Sequence, residues 1–227
     1  MSSSLLKLIG CISMFLDHLG YHITSNIDVL GYLGRIAFPI FAFQISEGYR
    51  HTKSKKKYFM RLFLLAFISQ YPFSLVFQEE GIYLNVVFTL LFGFLGIYLY
   101  EKNKGLGLAY LFLIECLMFF IHVDYGKIGI LLIFCYDCFR KKKDLFLLSH
   151  IILYTFLYGT YLYEGMMQNI SIAELFSFYI PYYLCSIISI LLLLSYNGKE
   201  GKQMKWFYYA FYPVHLIVIY FIFHNMI

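Results

Sequence analysis

The side chains best suited to acid–base chemistry lie near the start of the chain, in two neighbouring apolar segments. Asp17 and His18 are adjacent in the first segment, and Arg35 lies near the start of the second. Adjacent residues on a helix point about 100° apart, so Asp17 and His18 do not form a simple dyad. Either another helix orients His18 as a general base, or Asp17 pairs with Arg35 while His18 faces a cavity. The alternative is a purely structural ion pair beside a buried polar histidine.

Lys7 extends this group of residues toward the N-terminus. It precedes His18 by eleven residues, which is about three helical turns, so the two lie on nearly the same helix face about 16 Å apart. A lysine at one membrane surface and a histidine deeper in the protein suit a long ligand with an anionic head and a reactive far end, such as coenzyme A. The simpler interpretation of Lys7 is an ordinary cytoplasmic anchor.

A basic stretch, residues 50–57, follows the second apolar segment and is predicted to form a cytoplasmic hairpin. Most of its lysines suit a role in topology and contact with anionic lipid. A more specific interpretation is that Arg50, His51 and Arg61 border a mouth for nucleotide phosphates, where clustered positive charge would raise the local ligand concentration.

Other polar residues lie within or beside apolar segments, where ionisable groups are costly and are therefore functional candidates. The further candidates for a substrate site or a charge network are Glu47, Asn85, Thr89 and Asp124. No motif surrounds three other acidic residues, Glu115, Asp137 and Glu174. Cys135 and Cys138 lack the second pair of ligands that a zinc site needs, so we expect inert cysteines and no metal site.

These residues must be positioned by helices that cross a membrane. Hydrophobic residues make up 61% of the 227-residue chain and charged residues only 14%, against about 25% charged in an ordinary soluble domain. A helix needs about 20 mostly apolar residues to cross a bilayer, and continuous apolar runs favour helices over alternating strands. The sequence predicts an all-α bundle of about nine spans: 5–22, 30–50, 58–77, 84–100, 106–122, 126–139, 145–163, 172–195 and 206–225.

The basic residues predict the orientation, because cytoplasmic loops are enriched in lysine and arginine. Basic clusters follow the second, fourth, sixth and eighth segments, and of the 18 basic residues only Arg35 and Lys127 fall on the other side. We expect a cytoplasmic N-terminus, an outer C-terminus and one membrane domain over 1–227. The first segment is predicted to be a retained helix, because no small-residue cleavage site follows it. The net charge of +5 therefore indicates topology and lipid contact, and no nucleic-acid surface is predicted.

Ordered motifs over residues 5–95 resemble the TraX family. The matching stretches are 6–9, 17–20, 34–43, 47–49, 51–52, Tyr58, Arg61, 85–86, 88–90, and, more sparsely, 124–126 with Gly129. The resemblance implies a membrane acetyltransferase associated with N-terminal acetylation of pilin subunits. It also implies similarity to a broader group of multi-span acyltransferases, which carry a basic residue, usually arginine, eleven residues before a histidine. Lys7 stands where that arginine is expected, and lysine offers a point charge in place of bidentate phosphate binding.

The resemblance implies acetyl-CoA as donor and a peptide or protein N-terminus as acceptor, in a bacterial cytoplasmic membrane. The donor phosphates would lie near Lys7, Arg50, His51 and Arg61. His18 would be the general base, with Asp17 or Glu47 orienting it or holding a charge network. The acceptor would approach from outside past Arg35, Asn85 and Asp124, and Arg35 or Asn85 would stabilise the developing negative charge on oxygen. Direct transfer and an acetyl-histidine intermediate both remain open.

Two other classes of protein fit the same composition. A small-molecule or peptide transporter also places ionisable residues at membrane depth, although no convincing sequence repeat is present. A noncatalytic scaffold for assembly of a pilus or an export complex would tolerate neutral substitutions at Asp17, His18 and Arg35.

Overall fold

The computed structural model describes residues 1–23, 29–78, 81–118, 120–202 and 204–224, and these ranges are predominantly helical. The helices are α1 (Ser3–His22), α2 (Val29–Gly34), α3 (Ala37–His51), α4 (Lys55–Phe77), α5 (Val86–Lys102), α6 (Lys104–Leu117), α7 (Gly126–Phe139), α8 (Lys143–Met167), α9 (Ile172–Leu194) and α10 (Lys205–His224). Two short strands, β1 (Tyr83–Leu84) and β2 (His122–Val123), pair in parallel. The predicted all-helical fold is confirmed, with this two-residue pairing as a small addition.

The helices coincide with the predicted segments when α2 and α3 are taken together. Five helical stretches are long and apolar enough to cross a membrane: Val29–His51, Lys55–Phe77, Lys143–Met167, Ile172–Leu194 and Lys205–Phe223. Several such helices in one chain indicate a multi-pass membrane protein. The count of nine crossings and the placement of the two termini stay predictions.

Local chemistry explains where helix boundaries differ from the predicted segments. The segment predicted at 30–50 is interrupted by a turn at Arg35 and Ile36, because Pro39 has no N–H to donate to the carbonyl of Arg35. The helix that corresponds to the segment predicted at 84–100 begins at Val86. Asn85 is its N-cap, because the Asn85 side chain accepts a hydrogen bond from the N–H of Val87 at 3.0 Å. The segment predicted at 106–122 is shorter, because α6 ends at Leu117 and β2 follows.

The chain folds as two compact units, which are described separately. Unit 1 comprises residues 1–40 and 141–203, and unit 2 comprises residues 41–140 and 204–227. In unit 1, α1 packs on α2, α8 packs on α9, and α2 contacts α9. In unit 2, α5 contacts α4, α6 and α7, while α10 packs on α4. The single domain expected over 1–227 stays a prediction.

Contacts at the helix ends within each unit agree with alternating helix directions. In unit 1 the N–H groups of Ser3 and Ser4 donate to the carbonyls of Lys199 and Glu200, at 2.8 and 2.9 Å. The N-terminus and the connection after α9 therefore lie on the same side, as their basic residues predict. In unit 2, α3, α5 and α7 all end at one side, since Arg50 contacts both Glu101 and Asp137.

The short helix α7 extends from one end of unit 2 to the other. Next to its start, the backbone carbonyl of Asp124 accepts a hydrogen bond from the hydroxyl of Thr89. Thr89 lies near the beginning of α5. Near its end, Asp137 pairs with Arg50. Its 14 residues correspond to about 21 Å. The sixth crossing, which is the shortest one predicted, stays a prediction.

Candidate functional site

In unit 1 an ion pair joins α1 to the turn after α2. Arg35 donates from Nη2 to Oδ1 of Asp17 and from Nε to the carbonyl of Gly31, the latter at 3.4 Å. The Ser13 hydroxyl donates to the carbonyls of Leu33 and Gly34, at 2.5 and 3.1 Å, and so fixes the same turn on α1. The predicted pairing of Asp17 with Arg35 is thus present. It is common to the arrangement in which His18 faces a cavity and to the purely structural one, and the role of His18 stays a prediction.

His18 lies beside this ion pair and is buried, with 6% of its surface exposed. Because it follows Asp17 on a regular helix, its side chain projects about 100° away from the carboxylate. Lys7 lies on the same uninterrupted helix and is half-buried. The carboxylate of Glu200, in the connection after α9, acts electrostatically on Lys7. The separation of about 16 Å expected between Lys7 and His18 therefore holds.

Tyrosines of α8 and α9 lie close to the ion pair, and no sequence motif predicted this. The guanidinium of Arg35 lies 5.6 Å from the ring centre of Tyr182, and Tyr32 packs edge-on against that ring at 4.7 Å. Tyr158 of α8 interacts electrostatically with both Asp17 and Arg35. Its hydroxyl lies 3.2 Å from the hydroxyl of Ser186 in α9. These rings reduce the solvent around the pair and so strengthen its electrostatic attraction.

The close approach of α1 to the turn depends on Gly34. A Cβ at that position would collide with the side chain of Asp17, including its Cβ atom. We expect Gly34→Ala to lower the free energy of unfolding by about 1–3 kcal/mol, as overpacking does, because the ion pair must shift. Gly159→Ala is the matched control in the same unit, because a Cβ there meets no atom within 4 Å. Thermal unfolding in detergent compares them; equal stability of the two variants would contradict the packing described.

Unit 2 holds a second cluster of charges, which the sequence did not reveal. Asp137 accepts from Nε of Arg50 at 2.6 Å, from Nη2 of Arg50, and from the Ser46 hydroxyl at 3.2 Å. Its side chain is only 4% exposed. In the sequence, Asp137 could be recognised only as an acidic residue within an apolar segment. Its partner lies 87 residues away, so no local motif could identify the pair.

On the exposed side of Arg50, three donors converge on Glu101. They are Nη1 of Arg50 at 3.3 Å, the ammonium of Lys55 and the hydroxyl of Tyr49. Glu101 lies one residue beyond the predicted span 84–100. The Lys55 hydrogen bond, followed by that of Tyr49, lowers the pKa of Glu101 below its usual value. The carboxylate is therefore ionised at neutral pH.

The two other residues of unit 2 that were predicted to bind phosphate, His51 and Arg61, also have partners in that unit. His51 lies 3.3 Å from Glu47, one turn earlier on α3, and is 68% exposed. Arg61 donates from Nε to the hydroxyl of Tyr209 at 3.2 Å, and its guanidinium lies 5.6 Å from the ring centre of Tyr58. The phosphate roles of Arg50, His51 and Arg61 stay predictions, and binding would have to compete with these contacts.

At the opposite end of unit 2, Asn85 ties α5 to α4. Its Nδ2 donates to the carbonyl of Ala66 at 2.8 Å and to Oε1 of Gln70 at 2.9 Å. Both amide hydrogens are thus in use, and the residue is fully buried. Gln70 was not among the predicted site residues. Stabilisation of negative charge by Asn85 stays a prediction, and it would require one of these bonds to break.

The structure thus separates the predicted site residues into two groups. Unit 1 contains Lys7, Asp17, His18 and Arg35, and unit 2 contains Glu47, Arg50, His51, Arg61, Asn85, Thr89 and Asp124. Within the described ranges, no group of three or more His, Cys, Asp or Glu side chains is suited to hold a metal ion. Each group can therefore be considered for the chemistry of its own residues.

The five apolar helical stretches of membrane-spanning length in the described ranges indicate a multi-pass helical membrane protein. A family model described as TraX protein matches residues 2–223, and the chain therefore belongs to the TraX family. The chain is 22% identical to a probable fimbrial assembly protein FimC, serogroup H1, of Dichelobacter nodosus, over 94% of this chain and 92% of that protein. It is 24% identical to an uncharacterised protein of Rickettsia prowazekii (strain Madrid E), over 96% and 91% of the two chains. No solved structure matches.

Proposed function

We propose that this chain is a membrane acetyltransferase that uses acetyl-CoA to acetylate the N-terminal amine of a peptide or protein, with unit 1 as its catalytic site. Membership of the TraX family over nearly the whole chain carries the proposal. The relative named as a fimbrial assembly protein favours a fimbrial subunit as acceptor. The distribution of basic residues favours a bacterial cytoplasmic membrane with the donor on the inner side.

The buried position of His18 supports its role as the general base. During transfer, the acceptor nitrogen bonds to the acetyl carbonyl carbon, the bond from that carbon to the CoA sulfur breaks, and CoA leaves as a thiolate. Neutral His18 accepts the proton that the nitrogen loses. A buried imidazole is shielded from bulk water, which would otherwise compete with the amine as a nucleophile.

The ion pair next to His18 supports two further roles. Arg35 places positive charge beside the predicted reaction site, where it would stabilise negative charge developing on the carbonyl oxygen. Asp17 holds Arg35 in place through their hydrogen bond. Acetyl-CoA supplies the acyl group as a thioester. Lys7, half-buried at the other end of the same helix, is suited to attract a donor phosphate.

Inverted membrane vesicles test the activity and the orientation together. Vesicles that contain the chain and enclose an acceptor peptide should acetylate the peptide at its N-terminus when labelled acetyl-CoA is supplied outside. Their outer surface is the cytoplasmic face, and their lumen is the side from which the acceptor approaches. The product is identified by mass spectrometry, and a peptide with a blocked N-terminus serves as the control. Right-side-out vesicles should remain inactive with the donor outside. Equal labelling in vesicles without the chain would refute the proposal.

A noncatalytic role in assembly is the second candidate, because the relative's name refers to fimbrial assembly. The two candidates differ in the expected phenotype of His18→Asn. A scaffold would still support assembly with this substitution once folding is verified, whereas an acetyltransferase would lose acetylation of the acceptor.

A further inference from the structure

The convergence of three donors on Glu101 has the geometry of an anion-binding site. Arg50, Lys55 and Tyr49 each direct a hydrogen toward the same carboxylate, from the end of α3 and the start of α4. Two of the three donors are cationic, and hydrogen bonds from cations to anionic oxygen are roughly twice as strong as neutral ones. This part of unit 2 therefore binds an anion, which here is a side chain of the same protein.

Asp137 and Glu101 have different relations to Arg50. Asp137 is 4% exposed and binds two nitrogens of the guanidinium, so it fixes Arg50 from the interior. Glu101 is 41% exposed and binds only Nη1. With Glu101 turned away, Asp137 would still hold Arg50 in place. The donors would then remain arranged for another anion.

The position of Glu101 on α5 also favours its replacement. It lies in the last turn of the helix, where a negative charge is disfavoured by the helix dipole and a positive one is favoured. Asn103 caps both α5 and α6, accepting the N–H of Leu106 at 3.0 Å, so the backbone there is fixed. Release of the donors therefore needs only rotation of the exposed Glu101 side chain.

We propose that Arg50, Lys55 and Tyr49 form a binding site for a phosphate group, and that Glu101 occupies this site as an internal competitor until a phosphate displaces it. The four charged groups sum to zero when Glu101 is in place. With Glu101 displaced, Arg50, Lys55 and Asp137 leave one positive charge, which a phosphate neutralises. The proposal goes beyond acetyl transfer and stands even if that activity is absent. The phosphate can belong to a soluble ligand or to a lipid headgroup.

Binding of inorganic pyrophosphate to the full-length chain tests the soluble source. The chain is placed in nanodiscs of phosphatidylcholine, and the dissociation constant is measured by titration calorimetry. Glu101→Gln should tighten binding about three- to tenfold, because the internal charge is removed. Asp144→Asn removes one exposed negative charge at the start of α8 and should leave the constant unchanged.

Substitutions that remove one of the donors should weaken phosphate binding. Lys55→Gln should weaken pyrophosphate binding about tenfold, whereas Lys56→Gln, at the exposed neighbouring position, should have little effect. Tyr49→Phe removes only the hydroxyl and retains the ring that packs edge-on against Phe94, so it should weaken binding without loss of the fold. A thermal melting curve for each variant checks that it is folded.

Native mass spectrometry of copurified phosphatidylglycerol tests the lipid source. More bound lipid in Glu101→Gln and less in Lys55→Gln, together with no pyrophosphate binding, would assign the site to a lipid phosphate. Two results would overturn the proposal. One is a Glu101→Gln variant that binds neither pyrophosphate nor phosphatidylglycerol better than the unchanged chain does. The other is equal binding of each probe by the Lys55→Gln and Lys56→Gln variants.

Discussion

His18→Asn should reduce acetyl transfer by more than about 100-fold while the protein remains folded. General bases contribute roughly 10²–10⁴-fold to a reaction, and asparagine cannot accept the proton of the attacking amine. The substitution keeps a polar side chain at a position that is 6% exposed. We therefore expect the loss to appear in kcat more than in the apparent affinity for acetyl-CoA. Inverted vesicles with saturating donor and peptide provide the rate.

A second buried histidine controls for the loss of any imidazole. His215 in α10 is 4% exposed, and its Nδ1 lies 2.8 Å from the carbonyl of Phe211 in the preceding turn. His215→Asn should keep most of the activity, because this histidine bonds within its own helix in unit 2. If His18→Asn retains the full rate, or if both variants lose activity equally, His18 is not the base.

Removing Arg50 should cause the largest loss of stability among the charged residues of unit 2. Arg50→Met leaves the nearly fully buried carboxylate of Asp137 without its two guanidinium bonds. Breaking one side of a fully buried ion pair costs about 3–5 kcal/mol. The Arg50 side chain is 32% exposed, so we expect a smaller loss of about 1–3 kcal/mol, which is the cost of leaving a buried acceptor without its donors. Unfolding in mixed micelles, as the fraction of denaturing detergent rises, measures this loss.

A double-mutant cycle separates the ion pair from other contacts of Arg50. Asp137→Leu combined with Arg50→Met should recover most of the stability lost in Arg50→Met, since replacing both charges with apolar groups is often neutral. Lys56→Met is the control for loss of an exposed cation and should change stability by less than about 0.5 kcal/mol. If the double variant is as unstable as Arg50→Met, the buried carboxylate is not the cause.

The sequence predicted those features that depend on neighbouring residues. Apolar runs located the helices, and an ion pair of Asp17 with Arg35 was part of two of the three arrangements that the sequence left open. The interruption at Arg35 has a local cause as well, since Pro39 lacks the N–H that would continue the helix. The TraX motifs, which are also local, correctly identified the family.

Features that depend on helix packing could not be predicted from the sequence, because they join residues that are far apart in the chain. Asp137 was visible as a costly acid, but its partner Arg50 is 87 residues away and has several competing lysines nearby. Glu101 lies one residue outside the predicted span 84–100 and was not among the candidate residues. Asn85 was identified as a candidate, yet its bond to Gln70 depends on how α4 packs against α5. The division into two units likewise depends on contacts between residues far apart in the chain.

The length of α6 has a consequence for the surrounding lipid. The helix has 14 residues, or about 21 Å, and exposes apolar side chains along its length, including Leu106 and Phe112. A hydrocarbon layer of about 30 Å exceeds this length, and each ångström of hydrophobic mismatch carries a modest cost. If α6 crosses the membrane as the sequence predicts, lipid beside it should therefore thin locally. The headgroups of the two leaflets, and the water beyond them, would then lie closer together at this helix than elsewhere in the bilayer. The chain would therefore favour thinner membranes.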